Sequence, residues 1–329
     1  MSTAHRKKFP ARSALVGSLT LATSVASIVV FSARWHWIGE LVASFAWHVG
    51  CATLGVAVAV AALGSRRLAL ALAALGLVHV APEASLWLAP RVTHGSEASL
   101  SIVSANLLQP NRHADEVAAA LSATDADVIA VLELSSSMRA TLDRALSGWP
   151  HRSYSPQGPW HSSIWALGVY SRVPLRDVQL VHLRECYAPA IEARVALGSE
   201  LMTLRIVHLP RPGQAWRVAA RNEALEQVAT RFEWSPTAVL LGDLNTVSSS
   251  PAFADLLEHT ALRDSRRGFG RQPSWWLRSL GVPLAIAIDH VLVGSRLEVL
   301  ERETFEIPFS DHAGVRTRLA LRASAAKAP

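Results

Sequence analysis

The chain is 329 residues long and 50% hydrophobic, with 32 Lys and Arg against 26 Asp and Glu, which exceeds one typical domain. Eight basic residues but only Glu40 and Glu83 among the acids precede position 97, so the net +6 (8 − 2) belongs to the N-terminal part and the remainder balances at 24 to 24 (32 − 8 and 26 − 2). A balanced C-terminal region lacks the broad basic surface of a protein that grips long nucleic acid nonspecifically, and two distant cysteines, Cys51 and Cys186, make neither a disulfide framework nor a cysteine metal cluster.

Residues 1–12 form a basic tail with Arg6, Lys7, Lys8 and Arg12 and no acid. Ser13 to Ala33 follows, 21 residues without a charge, which as a helix would span roughly 31 Å, the thickness of a bilayer's hydrocarbon core. A cleaved leader has a shorter apolar core of about 7 to 15 residues, so a retained anchor is expected. After the interfacial belt Arg34-Trp35-His36-Trp37, an uncharged stretch from Leu41 to Ser65 ends at Arg66-Arg67. A third segment, Leu68 to Pro90, is interrupted by Pro82 and Glu83 and carries Trp87 as an aromatic anchor. We therefore expect a membrane anchor over residues 13–90 with three transmembrane helices, 13–33, 41–65 and 68–90, and a polar linker at 91–99. The basic tail and the Arg66-Arg67 loop favour the cytoplasm, so three spans export the rest of the chain whereas two retain it.

From residue 100 to 322 the pattern is that of a soluble domain, followed by an Ala-rich tail at 323–329. Strands are expected at Leu100–Ala105, Asp127–Leu134, Ser163–Ser171, Pro189–Leu197, Leu201–Leu209, Ala238–Leu241, Ala285–Val293, Leu297–Glu306 and Gly314–Leu321. Helices are expected at Asp115–Ser122, Ser135–Leu146, Trp216–Phe232 and Pro251–His259. Many strands with few helices between them suit two packed sheets flanked by helices, an α/β (α+β) four-layer sandwich, better than one parallel sheet.

Six places share one pattern: a polar residue able to meet metal or phosphate stands at a strand boundary. They are Asn106 after Ser101-Ile102-Val103-Ser104-Ala105, Glu133 after Val128 to Leu132, His208 after Leu204-Arg205-Ile206-Val207, Asp243 and Asn245 in Gly-Asp-Leu-Asn, Asp289 in Ile-Asp-His-Val, and Asp311-His312 before the last strand. Each alone is an ordinary turn or cap residue, but together such ends make a pocket.

In this order, with Tyr-Ser-Arg172-Val-Pro between them, these tags resemble the endonuclease/exonuclease/phosphatase superfamily over about Leu100 to Leu321, and the apolar helices ahead are similar to a membrane-anchored bacterial branch of it. The resemblance implies a two-sheet sandwich with a divalent-metal phosphoesterase site at one edge. It makes Glu133 the principal metal carboxylate, with Asn106 beside it and Asp311 completing or flanking the site, and Mg²⁺ or Mn²⁺ suits so oxygen-rich a set. Asp243 and Asn245 would orient or deprotonate the attacking water and hold the phosphate. His312 would be the active-site imidazole, Asp289 the carboxylate fixing its tautomer, and His208 a second imidazole on the phosphoryl oxygens or the leaving group. Leu132 stands where relatives often have Gln, and Leu107 and Leu108 replace an acid that some members carry.

Four residues are expected at the substrate: Arg211 after His208, and Arg267, Ser274 and Trp275 from a basic, aromatic loop that suits either nucleic acid or anionic headgroups. The function expected is a membrane-anchored, metal-dependent phosphodiesterase or nuclease. A phospholipid or small-molecule phosphatase of the same fold, and a noncatalytic membrane-bound binding protein, are the alternatives. Its partners would be a phosphate ester, from nucleic acid or a phospholipid headgroup, and the lipid bilayer, with no protein partner inferred. The expected location is a bacterial inner membrane, multi-pass, with the N-terminus cytoplasmic and the catalytic domain periplasmic or extracellular.

Overall fold

The computed structural model describes residues 9–88, 98–155, 163–183, 188–277 and 284–322. Most of the basic tail, nearly all of the 91–99 linker, the last two residues of the third expected span and the 323–329 tail lie outside the described residues.

Four helices lead the chain, α1 (Phe9–Phe31), α2 (Trp37–Ala43), α3 (Ala46–Ala62) and α4 (Arg66–Leu88). Two of them, α1 with its continuation to Arg34 and α4, are long and apolar enough to cross a membrane. The count rises to three if α2 and α3, bent by 71° at their junction, make one span. That bend falls within the expected span 41–65. At the junction the ladder tightens to i→i+3 bonds, Ser44 N to Leu41 O and Phe45 N to Val42 O, and the Ala43 carbonyl accepts instead from the Ser249 hydroxyl at 2.6 Å. A carbonyl so diverted is one of the recognised causes of a helix bend. Pro82 does not end α4, which continues to Leu88. Helices α3 and α4 cross closely at two glycines: a Cβ on Gly50 would stand 2.9 Å from Gly76 O, and one on Gly76 would stand 3.0 Å from Gly50 O. Small residues at such a crossing are what lets two apolar helices pack where water supplies no driving force.

Among the remaining described residues the strands form two six-stranded mixed sheets. The first joins β1 (Ser99–Asn106), β2 (Val128–Leu132), β3 (His151–Tyr154), β4 (Leu167–Ser171), β13 (Leu297–Glu306) and β14 (Ala313–Leu321) in the order β13-β14-β1-β2-β4-β3. The second joins β5 (Arg176–His182), β6 (Pro189–Leu197), β7 (Glu200–His208), β8 (Ala238–Asp243), β9 (Arg263–Asp264) and β12 (Asp289–Val293) in the order β5-β6-β7-β8-β12-β9. A two-stranded ribbon of β10 (Trp275–Leu277) and β11 (Leu284–Ile286) lies apart. Four helices cover the sandwich: α5 (Ala114–Ala123), α6 (Ser136–Ala145), α7 (Ala215–Arg231) and α8 (Pro251–Thr260).

Alternation along each strand divides the core into layers. Ile102, Val128, Ala130 and Leu132 of one sheet meet Leu204, Ile206, Val239, Leu241 and Val291 of the other. Between them, Val103, Ile129 and Val131 point outward to Leu121, Met138 and Leu142 of α5 and α6. Val207, Leu240 and Leu292 likewise point to Leu225, Val228, Phe253 and Leu256 of α7 and α8. The result is the expected helix-sheet-sheet-helix sandwich. Strand β5 escaped the sequence reading because it is a largely exposed edge with no clean apolar face.

Candidate active site

Continuing the inward alternation by one step past the apolar core places polar side chains at the same end of both sheets. On β1 the series Leu100, Ile102 leads by twos to Asn106. On β7, Leu204 and Ile206 lead to His208; on β8, Val239 and Leu241 lead to Asp243; and β12 begins with Asp289 ahead of Val291 and Val293. Register then sets three of them side by side, because His208 pairs with Asp243 and Asp243 with Asp289. The close approach depends on Gly242, at φ +138°, where an added Cβ would stand 1.9 Å from Val207 O.

Two residues leave the alternation. Glu133 would point outward if β2 continued, but φ +57° turns the chain, and its Oε1 accepts from Asn106 Nδ2 at 3.2 Å. Asn245 adopts φ +49°, the left-handed region that Asn tolerates better than most residues. Its backbone N–H donates to Asp243 Oδ1 at 2.9 Å and its side-chain amide to Leu209 O at 2.9 Å.

Around these anchors the polar groups interlock. The Asn106 amide also donates to Asp243 Oδ2 at 3.2 Å, and the second Glu133 oxygen accepts from Gln109 N at 2.8 Å. His208 Nδ1 sits 2.9 Å from Ile164 O, which assigns the proton to Nδ1 and aims Nε2 at Asp243 Oδ2, 3.5 Å away. His312 Nδ1 is 2.8 Å from Asp289 Oδ2, while its Nε2 stands 3.9 Å from both Asp243 Oδ2 and Asp311 Oδ1. Trp275 Nε1 donates to Asp311 Oδ2 at 3.0 Å.

Charge follows from burial and neighbours. Burial and then Asp289 push the Asp243 carboxyl up to about 6, with His312 and His208 opposing them. Burial works against a charged His312, but Asp289, followed by Asp243 and Asp311, pushes its imidazole up to about 10, so it is an imidazolium at neutral pH.

Four carboxylates, Glu133, Asp243, Asp289 and Asp311, meet here, and Asp289 Oδ1 and Asp311 Oδ1 are buried oxygens without a hydrogen-bond partner. A donor set of carboxylates and one amide with oxygens to spare fits a hard divalent cation. Among the described residues, Asp243, Asp289 and His312 bring one ligand atom each within 4.8 Å of one another, although the Asp289–His312 bond makes that pair an oriented imidazole more than two independent ligands.

The site opens into a cleft of about 650 Å³. Arg211 and Trp275, both expected at the substrate, line it. Arg267 and Ser274 do not, which corrects their assignment. Ser274 is fully buried, and its hydroxyl accepts from the backbone N–H groups of Ile288 and Asp289 at 3.1 and 3.0 Å, holding the start of β12 in place. Arg267 is exposed on the loop after β9, whose next residue, Gly268, donates to Leu86 O of α4 at 2.7 Å. Sequence reasoning missed Ile164, Trp165, Trp216, Arg217, Ile286 and Ile288, which line the cleft. Trp216-Arg217, just beyond Pro210-Arg211-Pro212, was the one readable signal among them.

Comparison with known proteins gives the following. The family model described as "Endonuclease/Exonuclease/phosphatase family" matches residues 98–312. No curated protein matches the chain. Among solved structures, an endonuclease/exonuclease/phosphatase from Beutenbergia cavernae is similar at TM-score 0.57 and 20% identity, over 68% of this chain and 72% of that one. TDP2 of D. rerio complexed with single strand DNA product is similar at TM-score 0.56 and 16% identity, over 68% and 99%. Sphingomyelinase C from Streptomyces griseocarneus is similar at TM-score 0.51 and 16% identity, over 68% and 99%. Likeness at such identities is a likeness of fold.

Proposed function

The chain belongs to the endonuclease/exonuclease/phosphatase family, and we propose that it is a membrane-anchored, divalent-metal-dependent phosphodiesterase. The observation that carries this reading is the interlocked set in which Glu133, His208, Asp243 and His312 line one cleft, backed by the buried Asn106 and Asp289.

A phosphodiester is an anion that repels hydroxide, so its hydrolysis needs charge neutralisation, a directed water and a stabilised leaving oxygen. Glu133, Asn106 and Asp311 are the residues that would hold Mg²⁺ or Mn²⁺, which supplies electrostatic stabilisation of the phosphoryl oxygens. His312, oriented and kept positive by Asp289, neutralises a phosphoryl oxygen through Nε2. Asp243 and Asn245 direct the attacking water, and Asp243 accepts its proton. His208, its Nδ1–H held by Ile164 O, turns Nε2 toward the same point and, as the imidazolium, protonates the leaving oxygen from Nε2. Arg211 contributes positive charge at the rim.

The first test is hydrolysis of bis-p-nitrophenyl phosphate by the full-length protein with Mg²⁺ or Mn²⁺. Asp243→Ala and His312→Ala should each lower kcat by at least about 100-fold, the scale of a lost acid-base or electrostatic group, and chelation should abolish turnover. Rates equal to wild type in both variants would end the catalytic reading.

For the topology, we propose that α1, the bent α2–α3 pair and α4 make three spans with a cytoplasmic N-terminus. The ends of α1 and α4 and the start of α3 meet the catalytic domain, whereas Arg66 and Arg67 lie at the opposite end, as the excess of basic residues on the cytoplasmic side requires. The host membrane would be a bacterial inner membrane, with catalysis on its outer side. An alkaline phosphatase fusion after Leu100 should be active in a bacterial host; an inactive one would return the domain to the cytoplasm.

A further inference from the structure

We propose that the cleft draws its phosphodiester from the bilayer that anchors the chain, so that its substrate is a phospholipid and not a nucleic acid; this rests on the phosphodiesterase reading above.

The first observation is that the catalytic domain is clamped to the anchor with no slack. Arg34, just past α1, makes a bidentate pair with Asp255 of α8 at 3.1 and 3.0 Å. Glu40 of α2 accepts from Arg221 of α7 at 2.6 Å and from the Ser250 hydroxyl, all three residues being buried. Glu83 of α4 pairs with Arg271, whose guanidinium also lies 4.6 Å from the ring centre of Trp47 in α3. Two bonds to helix carbonyls reinforce this, one from the Gly268 N–H to Leu86 O and one from the Ser249 hydroxyl to Ala43 O. Each of the four leading helices, or the residue just past it, therefore touches the domain.

The second observation is that the clamp and the catalytic cleft share a wall. Phe45, at the α2–α3 bend, packs against the cluster of Val247, Ile286 and Ile288, as Trp275 does, and Trp275, Ile286 and Ile288 line the cleft together with His208, Asp243 and His312. On the same side, one side chain links anchor to site: Arg221, bonded to Glu40, also donates to the Asn245 carbonyl at 2.7 Å. The cleft thus shares its wall with the residues that meet the helix ends.

The third observation is the chemistry of the rim. Trp216 and Ile164 are 64% and 40% exposed, an apolar rim that a phosphate does not need and an acyl-glycerol backbone does. Arg211 and Arg217 are exposed cations for which the described residues supply no ion pair, matching an anionic headgroup layer, and an aromatic ring with a polar edge suits the same depth. The balanced charge of the domain gives a polyanion no extended track.

Water adds to the phosphorus, the bond from phosphorus to one of its two alcohol oxygens breaks, and that alcohol leaves with a proton while a phosphomonoester remains. The test uses full-length protein reconstituted in vesicles of phosphatidylethanolamine, phosphatidylglycerol and phosphatidylcholine with Mg²⁺, scored by thin-layer chromatography. A single-stranded oligonucleotide and bis-p-nitrophenyl phosphate are offered to the same preparation. The expected result is conversion of vesicle lipid faster than of the oligonucleotide, with Trp216→Ser lowering the ratio of lipid to bis-p-nitrophenyl phosphate turnover by about tenfold, the scale of one lost aromatic anchor. Turnover of bis-p-nitrophenyl phosphate with the lipids untouched, or with the oligonucleotide preferred, overturns the lipid assignment and leaves the phosphodiesterase reading standing. Failure to hydrolyse any of the three overturns both.

Discussion

Two buried arginine–carboxylate pairs occupy neighbouring parts of the molecule and do different work. Arg266 and Asp264 lie two residues apart in one loop and pair at 2.6 Å. Arg221 and Glu40 also pair at 2.6 Å but come from α7 and α2, 181 residues apart. The local pair knits the end of β9 to the turn that follows it; the distant one fastens the leading helices to the backbone of a site residue. A buried ion pair seldom adds much stability over an apolar pair, but losing one partner strands a charge. What distinguishes the two pairs is which neighbour feels that loss.

The largest effect is expected from Asp264→Ala. It would leave Arg266 uncompensated and remove the carboxylate that opposes the downward push of burial on Arg302, whose guanidinium sits at about 9. We expect a loss of about 3 to 5 kcal/mol, measured by denaturant or thermal unfolding in detergent, with kcat per folded molecule retained. Glu40→Ala should approach that cost and also lower kcat, since Arg221 would no longer be held under the Asn245 carbonyl. Replacing both partners, Glu40→Leu with Arg221→Met, should restore most of the stability without restoring kcat. Full recovery of kcat in that double variant would show the link to Asn245 to be packing only.

A pH titration sharpens the contrast. Burial works against an ionised Asp264, but Arg266 outweighs it and holds the carboxyl below its ordinary 3.8. Its contribution is therefore present above that pH and lost as pH falls through the lower folded value. Unfolding free energy should drop on acidification below about 4 more steeply in wild type than in Asp264→Asn; parallel curves would sink this assignment. The smallest effect belongs to Arg34→Ala. Its pair with Asp255 is 54% and 42% exposed, and such surface pairs contribute about 0.2 to 1 kcal/mol.

The same contrast explains how far the chain could be read beforehand. Asn106, His208, Asp243 and Asp289 were legible because each stands at the boundary of an aliphatic run, a rule local to its strand. Glu133 was legible as a strand-end acid, but its turn toward Asn106 was not, since a backbone angle of +57° leaves no mark in Val-Leu-Glu-Leu. Ser274 was expected at the substrate, but its hydroxyl holds the start of β12, which no spacing in its own loop reports, and Arg267 sits exposed beside Gly268, which bonds the end of α4. Glu40 and Glu83 showed themselves as isolated acids in apolar surroundings, but an intramembrane acid announces a partner without naming it. The bend after Ala43 was hidden for the same reason: the hydroxyl that takes its carbonyl lies 206 residues downstream.

On the proposed topology, helices that fix the domain at three separate points would make the stand-off between bilayer and catalytic residues a ruler. Esters of one depth would fall within its compass while deeper or taller ones passed by, and the opposite leaflet would stay out of range.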